Sequence, residues 1–250
     1  MSKKNIKFVT TIGNKEKILN DLEEKIENTR LKENKKESLK AFKLLKKTLK
    51  SDLQEKSDVI KKHLTKKNGR YIVFCKDTEN MDETLNNANK IFGDINDNIE
   101  LTAISPYLTK TERKKLIKQF NEENDDNKTK VILINRKTQK RYDFSKVDGV
   151  IFLYSTNDTI TRKNKRIDEA IELCKDDSTI IQFVDSLYVV EKYNGIKNQI
   201  AENETANIEF VDEKSFKDVD TVRRKTFNTG VKDSAKLQIM KEYKEKMEKK

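Results

Sequence analysis

The 250-residue chain has one histidine, one proline, two cysteines, six glycines and no tryptophan. Each scarcity closes off some chemistry. A Ser–His or Cys–His dyad has only His63 to draw on, and that residue sits at the end of an amphipathic helical pattern. Cys75 and Cys174 stand far apart in apolar or helical surroundings, which reads as two buried, reduced thiols rather than a disulfide or a metal pair. No Cys/His cluster exists, so neither a zinc site nor any other cofactor is expected. Gly13, Gly69, Gly93, Gly149, Gly195 and Gly230 fall in neither the P-loop spacing nor a dinucleotide fingerprint, both of which need glycine where backbone amides approach phosphate. Long apolar runs are missing too: no stretch nears the roughly 18 residues of a membrane span. The start, Met-Ser-Lys-Lys-Asn, lacks the apolar stretch of a signal peptide. A cytoplasmic protein without a membrane partner is expected.

What the chain has in abundance is charge. Charged residues make up 39%, and 54 Lys+Arg against 43 Asp+Glu give a net +11, with a pI near 9.3 and a mean hydropathy of -0.90. That balance favours polyanions such as nucleic acid. It is also what a lysine-, asparagine- and isoleucine-rich coding bias produces, and composition does not separate the two. A hydrophobic share of 34% suffices for one compact core with helical extensions.

Read in order, residues 6–12 form a short strand or a docking arm. From Asn14 to about Leu64 the period becomes helical, with Ile18, Leu22 and Ile26, then Leu39, Phe42, Leu45 and Leu49, then Leu53, Ile60 and Leu64 marking the inward stripe of two or three amphipathic helices. Between Lys32 and Lys50 lie eight lysines and two glutamates, which fits a solvated helix face as well as a nucleic-acid or partner surface. Lys66-Lys67-Asn68-Gly69 signals a turn. Strands and helices then alternate: strands at 71–75, 99–104, 130–134, 149–154 and 179–184, with helices at 81–92, 110–120 and about 158–173. Pro106 stops the second strand, and Thr109 with Glu112 has capping-box spacing. The run Val147-Asp148-Gly149-Val150-Ile151-Phe152-Leu153-Tyr154-Ser155-Thr156 is the most apolar stretch, and its lack of alternation predicts a central strand covered on both faces. The pattern predicts an α/β domain with a mainly parallel sheet over 66–190, preceded by an N-terminal arm and basic helices over 1–65. A polar connection and a C-terminal helix fill 191–250, the helix carrying Leu237, Met240, Tyr243 and Met247.

Four segments together carry a resemblance: Lys67 to Cys75, Ile104 to Lys110, Lys130 to Ile134, and Val147 to Thr156. They resemble the second RecA-like domain of superfamily 2 DEAD/DEAH-type helicases, and more narrowly the type III restriction-like and helicase-associated branch. The likeness covers roughly 66–190. The helical lead-in resembles the insert that often precedes that domain, and Ser234 to Tyr243 looks like the start of the helicase-associated helical segment.

The departures from the family pattern set the functional expectation. Where the family carries Asn-Glu-Gly, coupling ATP to nucleic acid, this chain has Gln139, Lys140 and Arg141. Where it carries Gln-Gln-x-Gly-Arg, the matching positions are Asn164, Lys165, Arg166, Ile167 and Asp168, and a shift of two restores an arginine at Arg166 but no glycine. Losing such an arginine costs ~10³-fold or more in phosphoryl transfer, and no P-loop accompanies it. The resemblance therefore implies a non-catalytic, degenerate helicase C-terminal domain. Its nucleic-acid contacts would fall on Lys76, Ser105, Asn135, Arg136, Lys137, Lys140 and Arg141, with the four cations of 135–141 gripping backbone phosphates at the end of a strand. Tyr107 and Tyr142 are the best-placed aromatics for base stacking. Two other readings stay open: an interaction or regulatory protein, of the kind a mobile element or phage encodes, that docks through residues 14–64 on a replication or helicase partner, and a half-enzyme completed by a separately encoded P-loop domain.

Overall fold

A computed structural model describes residues 3–14, 16–64, 68–75, 81–93, 98–122, 128–135, 143–153, 160–185, 197, 200–201 and 203–212. The run that is most apolar in sequence, β5 (Val147–Phe152), is buried along its whole length. It occupies the middle of a seven-stranded sheet ordered β3 (Ile99–Ile104), β4 (Thr129–Asn135), β2 (Arg70–Cys75), β5, β6 (Cys174–Asp185), β1 (Lys4–Asn14) and β7 (Ala206–Asp212). Every pairing is parallel, so one edge of the sheet gathers all the strand starts and the other all the strand ends.

Both faces are covered, because alternate side chains of each strand point opposite ways. Tyr71 and Val73 of β2 join Leu53 and Ile60 of α2 (Lys35–His63) and Ala88, Ile91 and Phe92 of α3 (Met81–Phe92). Ile72 and Phe74 join Ile117 and Phe120 of α4 (Lys110–Asn121) and Ile167, Ala170 and Ile171 of α5 (Ile160–Leu173) on the other face. Phe74 and Phe152, neighbours across β2 and β5, stack with ring centroids 4.9 Å apart. The Thr109–Glu112 capping box forms as its spacing predicts.

The sheet is wider than 66–190. Residues 4–14 form no docking arm: Ile6, Phe8 and Val9 are buried, and β1 pairs with β6 on one side and β7 on the other. Strand β7 comes from a stretch that reads as mixed and polar in sequence. The predicted C-terminal helix and its four apolar positions lie outside the described residues.

The invariably packed centre explains Asp148 and Gly149. A Cβ on Gly149 would sit 2.7 Å from the Thr179 carbonyl oxygen and 2.9 Å from the Tyr71 ring, closer than real Cβ contacts allow. The buried Asp148 carboxylate accepts the Arg70 N–H at 2.9 Å and the Lys175 ammonium at 3.1 and 3.2 Å. Both residues hold strands together at the strand-start edge. The Lys4 ammonium works there too, donating to the carbonyls of Ile171, Glu172 and Cys174 at the end of α5, where cations complement the helix dipole. Lys146 also donates to Glu172 O. Burial, and then the neighbouring Lys146, lower the Lys4 pKa.

The helical lead-in is a hairpin of α1 (Glu16–Leu31) and α2. Ile18 and Leu22 of α1 are buried, as the sequence predicts, but Leu39 and Phe42 of α2 are 60% and 43% exposed. The reason is that, among the described residues, the part of α2 before Leu49 packs mainly on α1, and the residues it buries are Ala41 and Thr48.

Candidate nucleic-acid interface

The strand-end edge is where a parallel α/β sheet presents ligand-binding groups. Cys75 lies opposite Asn135 in the β2–β4 pairing, and Ile104 lies opposite Ile134 in the β3–β4 pairing. Ser105 therefore follows directly beside Asn135. The structure brings these two expected contact residues together, and both are buried, Ser105 at 2% and Asn135 at 5% exposure. The Ser105 hydroxyl accepts the Tyr107 N–H at 3.2 Å, and its carbonyl accepts the Leu108 N–H at 3.3 Å.

That turn is fastened from α4. Arg113 donates through its guanidinium to the carbonyls of Leu108 at 2.8 Å and Pro106 at 2.5 Å. The fixed turn carries Tyr107 outward with 76% of its surface exposed. An aromatic ring held in solvent by a rigid backbone is suited to stacking, because little entropy remains to be lost on contact. Lys110 and Lys114, also exposed, open α4 beside it.

Cys75 closes β2 at the same edge. Burial pushes its thiol up to about 12, only partly offset by Lys56, so the sulfur is held neutral and is no nucleophile. Neither cysteine is paired. Among the described residues no group of three or more metal-ligating side chains converges, and no helix is long and apolar enough to cross a membrane.

The expected residues Lys76, Arg136, Lys137, Lys140 and Arg141, with Tyr142, lie outside the described residues. Of the three ATP-motif counterparts, Asn164 falls in the first half of α5, and Arg166 is half-buried on the same helix. Asp168 accepts from the Asn203 side-chain amide at 3.3 Å. Desolvation is the largest influence on its carboxyl and raises its pKa, the Asn203 bond opposing it and Glu172 adding to it. Asn203 in turn accepts the N–H groups of Thr205 and Ala206 ahead of β7. Asp168 is thus tied to the strand-start edge, away from Ser105 and Asn135.

Sequence reasoning missed the protruding placement of the α1–α2 hairpin. Leu53 and Ile60 in the second half of α2 pack on the sheet, and the helix must run against the strands to connect the end of β1 to the start of β2. Leu49 still packs against that core, so the part of α2 that precedes it, paired with α1, runs on past the strand ends for about 20 Å of helix, at 1.5 Å per residue.

No family model and no curated protein matches the sequence. Solved structures do. The yeast DEAD-box splicing factor Prp28 aligns with a TM-score of 0.51 at 13% identity, over 93% of this chain and 39% of Prp28. The E. coli DEAD-box protein SrmB, solved bound to regulator of ribonuclease activity A, aligns at 0.48 and 12% identity over 84% of this chain and 93% of that one. The C-terminal domain of the DEAD-box protein Dbp5 aligns at 0.44 and 17% identity over 69% and 91%. At these identities the likeness concerns fold alone: this is a RecA-like α/β fold.

Proposed function

We propose that this RecA-like protein binds nucleic acid through backbone phosphates and does not hydrolyse ATP. The observation that carries the reading is the strand-end edge, where Ser105 and Asn135 adjoin on neighbouring strands and Tyr107 stands 76% exposed on a fastened turn. The cations of 136–141 leave β4 at that edge in sequence, and the net charge of +11 supplies the long-range attraction. The non-catalytic half rests on the sequence given, which holds no P-loop and lacks the coupling glycines. Fluorescence anisotropy with labelled single-stranded and duplex RNA and DNA at 50 and 200 mM salt tests the first half. Binding that weakens steeply with salt is expected, and no binding at low salt refutes it. ATP turnover, with or without oligonucleotide, would refute the second.

A second reading, docking on a protein partner, draws on the exposed Leu31, Leu39 and Phe42 at the turn end of the hairpin, 74%, 60% and 43% exposed. Isolation of the protein with a stable partner, lost on replacing Leu39 and Phe42 by serine, would favour it.

A further inference from the structure

We infer that the first half of α2 is a second phosphate-binding element, a lysine rail that overhangs the strand-end edge and extends the interface proposed above, on which this inference rests. Lys36, Lys40, Lys43, Lys47 and Lys50 recur at spacings of four, three, four and three residues, the spacing that normally places apolar residues on one stripe of a helix. At about 100° per residue the five lie within an arc of roughly 80°. Lys35 and Lys46 flank it, and all seven are exposed. The buried Ala41 and Thr48 point to the other side of the helix, toward α1, so the rail faces away from the hairpin partner.

Three features separate the rail from a merely solvated lysine-rich face. First, no carboxylate falls in its arc. Glu37 projects to the side, and α1 carries Glu16, Asp21, Glu23, Glu24 and Glu27 against Lys17, Lys25 and Arg30. A coding bias toward lysine does not by itself keep carboxylates out of one stripe of a helix over about four turns. Second, the rail stops where the helix meets the sheet. The same row continues as Gln54 and Asp58, joined to each other by a 3.0 Å hydrogen bond, with Lys61 a lone lysine beyond them, and the buried face there carries Leu53 and Ile60. Third, it runs outward from the sheet: Leu49 packs against the core where α2 lies on β1, β6 and α3, and from Lys50 back to Lys36 the row extends about 21 Å along the helix, toward the side of the sheet on which the strands end. Leu39 lies beside the rail, and Phe42 beyond it is covered by the Lys46 ammonium, 4.5 Å from its ring centroid. An unbroken row of five ammonium groups suits the repeating charge of a phosphate backbone, and such contacts demand no base sequence.

The test uses the full chain and labelled 30-nucleotide RNA and DNA, single-stranded and duplex. One variant replaces Lys36, Lys40, Lys43, Lys47 and Lys50 with glutamine. A second replaces Lys61, Lys62, Lys90, Lys115 and Lys118, five exposed lysines away from the rail, with the same loss of charge. The rail variant is expected to bind roughly tenfold or more weakly at 50 mM salt, and its salt slope to flatten by about 3 to 4. The second variant should stay within about threefold of wild type, with its slope nearly intact. Equal losses in the two variants would overturn the rail, leaving only net charge, and so would an unchanged rail variant, which would turn that face over to a protein partner. If the wild type itself fails to bind at low salt, the proposed function falls and the rail with it. Matching far-ultraviolet circular dichroism and thermal melts establish that both variants fold.

Discussion

The two halves of α2 use the same residue in opposite ways. In the half that lies on the sheet, Lys56 is buried and pairs with the still more deeply buried Asp52 at 2.6 Å. In the overhanging half, Lys36, Lys40, Lys43, Lys47 and Lys50 stand in solvent. One helix, with one period, passes from a structural environment to a surface one as it crosses the strand-end edge. The lysines before the crossing should matter to binding and hardly to folding, and Lys56 should matter to folding and hardly to binding.

The largest effect expected from this contrast is on Lys56. Lys56→Met removes the ammonium but keeps most of the volume, and takes the ion pair away from the buried Asp52 carboxylate. Breaking a buried pair in this way costs about 3–5 kcal/mol, read as a drop in the urea midpoint. Replacing both members, Asp52→Leu with Lys56→Met, should recover most of that loss, because the penalty lies in the stranded charge. The five rail substitutions, each on an exposed surface, should each stay within about 0.5 kcal/mol. A Lys56→Met protein as stable as wild type would show that the two halves of α2 do not differ in the way described.

The same crossing marks where the sequence is legible and where it is not. Strands β2, β4 and β5 stand out as apolar runs because they are covered on both faces, and a residue there has no polar side to show. Strand β1 is ambiguous locally, since Lys4, Asn5 and Lys7 interleave with Ile6 and Phe8. Its place between β6 and β7 depends on pairing with residues some 170 to 200 positions away, which no local pattern encodes. Strand β7 does carry a signal, the alternation of Ala206, Ile208 and Phe210, but it is short and set in polar sequence. In α2 the apolar period runs through Leu39 and Phe42 and predicts an inward stripe. The period is real, but inward requires something to pack against, and only the structure shows that the sheet ends before those residues. The lysine period is equally present in the sequence, and the packing of α2 gives it a direction. At the candidate interface, the strand-end placement of Ser105 and Asn135 is legible from the strand pattern, whereas the bond between Asp168 and Asn203 is not, because it depends on how the chain returns to β7.

Alkaline pH should separate the packed region from the overhang more gently. Burial raises the Cys174 thiol to about 12 from an ordinary value of 9.0, more than the opposing influences of Lys4, the Ser178 hydrogen bond and Lys146 can offset. The unfolded chain ionises this thiol above its ordinary value while the folded chain holds it neutral. Its contribution is therefore complete below about pH 9 and is lost as pH climbs toward 12, by about 1.4 kcal/mol per pH unit. Comparing wild type with Cys174→Ala by urea unfolding at pH 8 and pH 10 isolates this thiol from the lysines that begin to titrate over the same range. The wild type should lose about 1.4 kcal/mol more than the variant. Parallel losses would mean that the sulfur is not desolvated as the packing indicates.

The smallest effect concerns the turn that makes the overhang a hairpin. Glu33 has a φ of 54°, in the left-handed region that costs a residue with a Cβ about 1–2 kcal/mol. The Asn34 N–H reaches back to the Thr29 carbonyl and the Glu33 N–H to that of Arg30, both at 3.0 Å, the bonding pattern of a Schellman cap with Glu33 where glycine is usual. Asn34 then caps α2, its side chain accepting the Glu37 N–H at 3.3 Å. Glu33→Gly should relieve the strain at the cost of a freer unfolded chain, for a net gain of about 0.5–1 kcal/mol. Because the hairpin lies off the sheet, the gain should appear as slower hydrogen exchange in residues 16–50, with the amides of β2 and β5 unchanged. The substitution also removes a carboxylate next to the start of the rail, so nucleic-acid affinity should rise slightly. A slowing of exchange throughout the sheet would show instead that hairpin and sheet open as one unit, and that the contrast between the two halves of α2 is one of surface and not of stability.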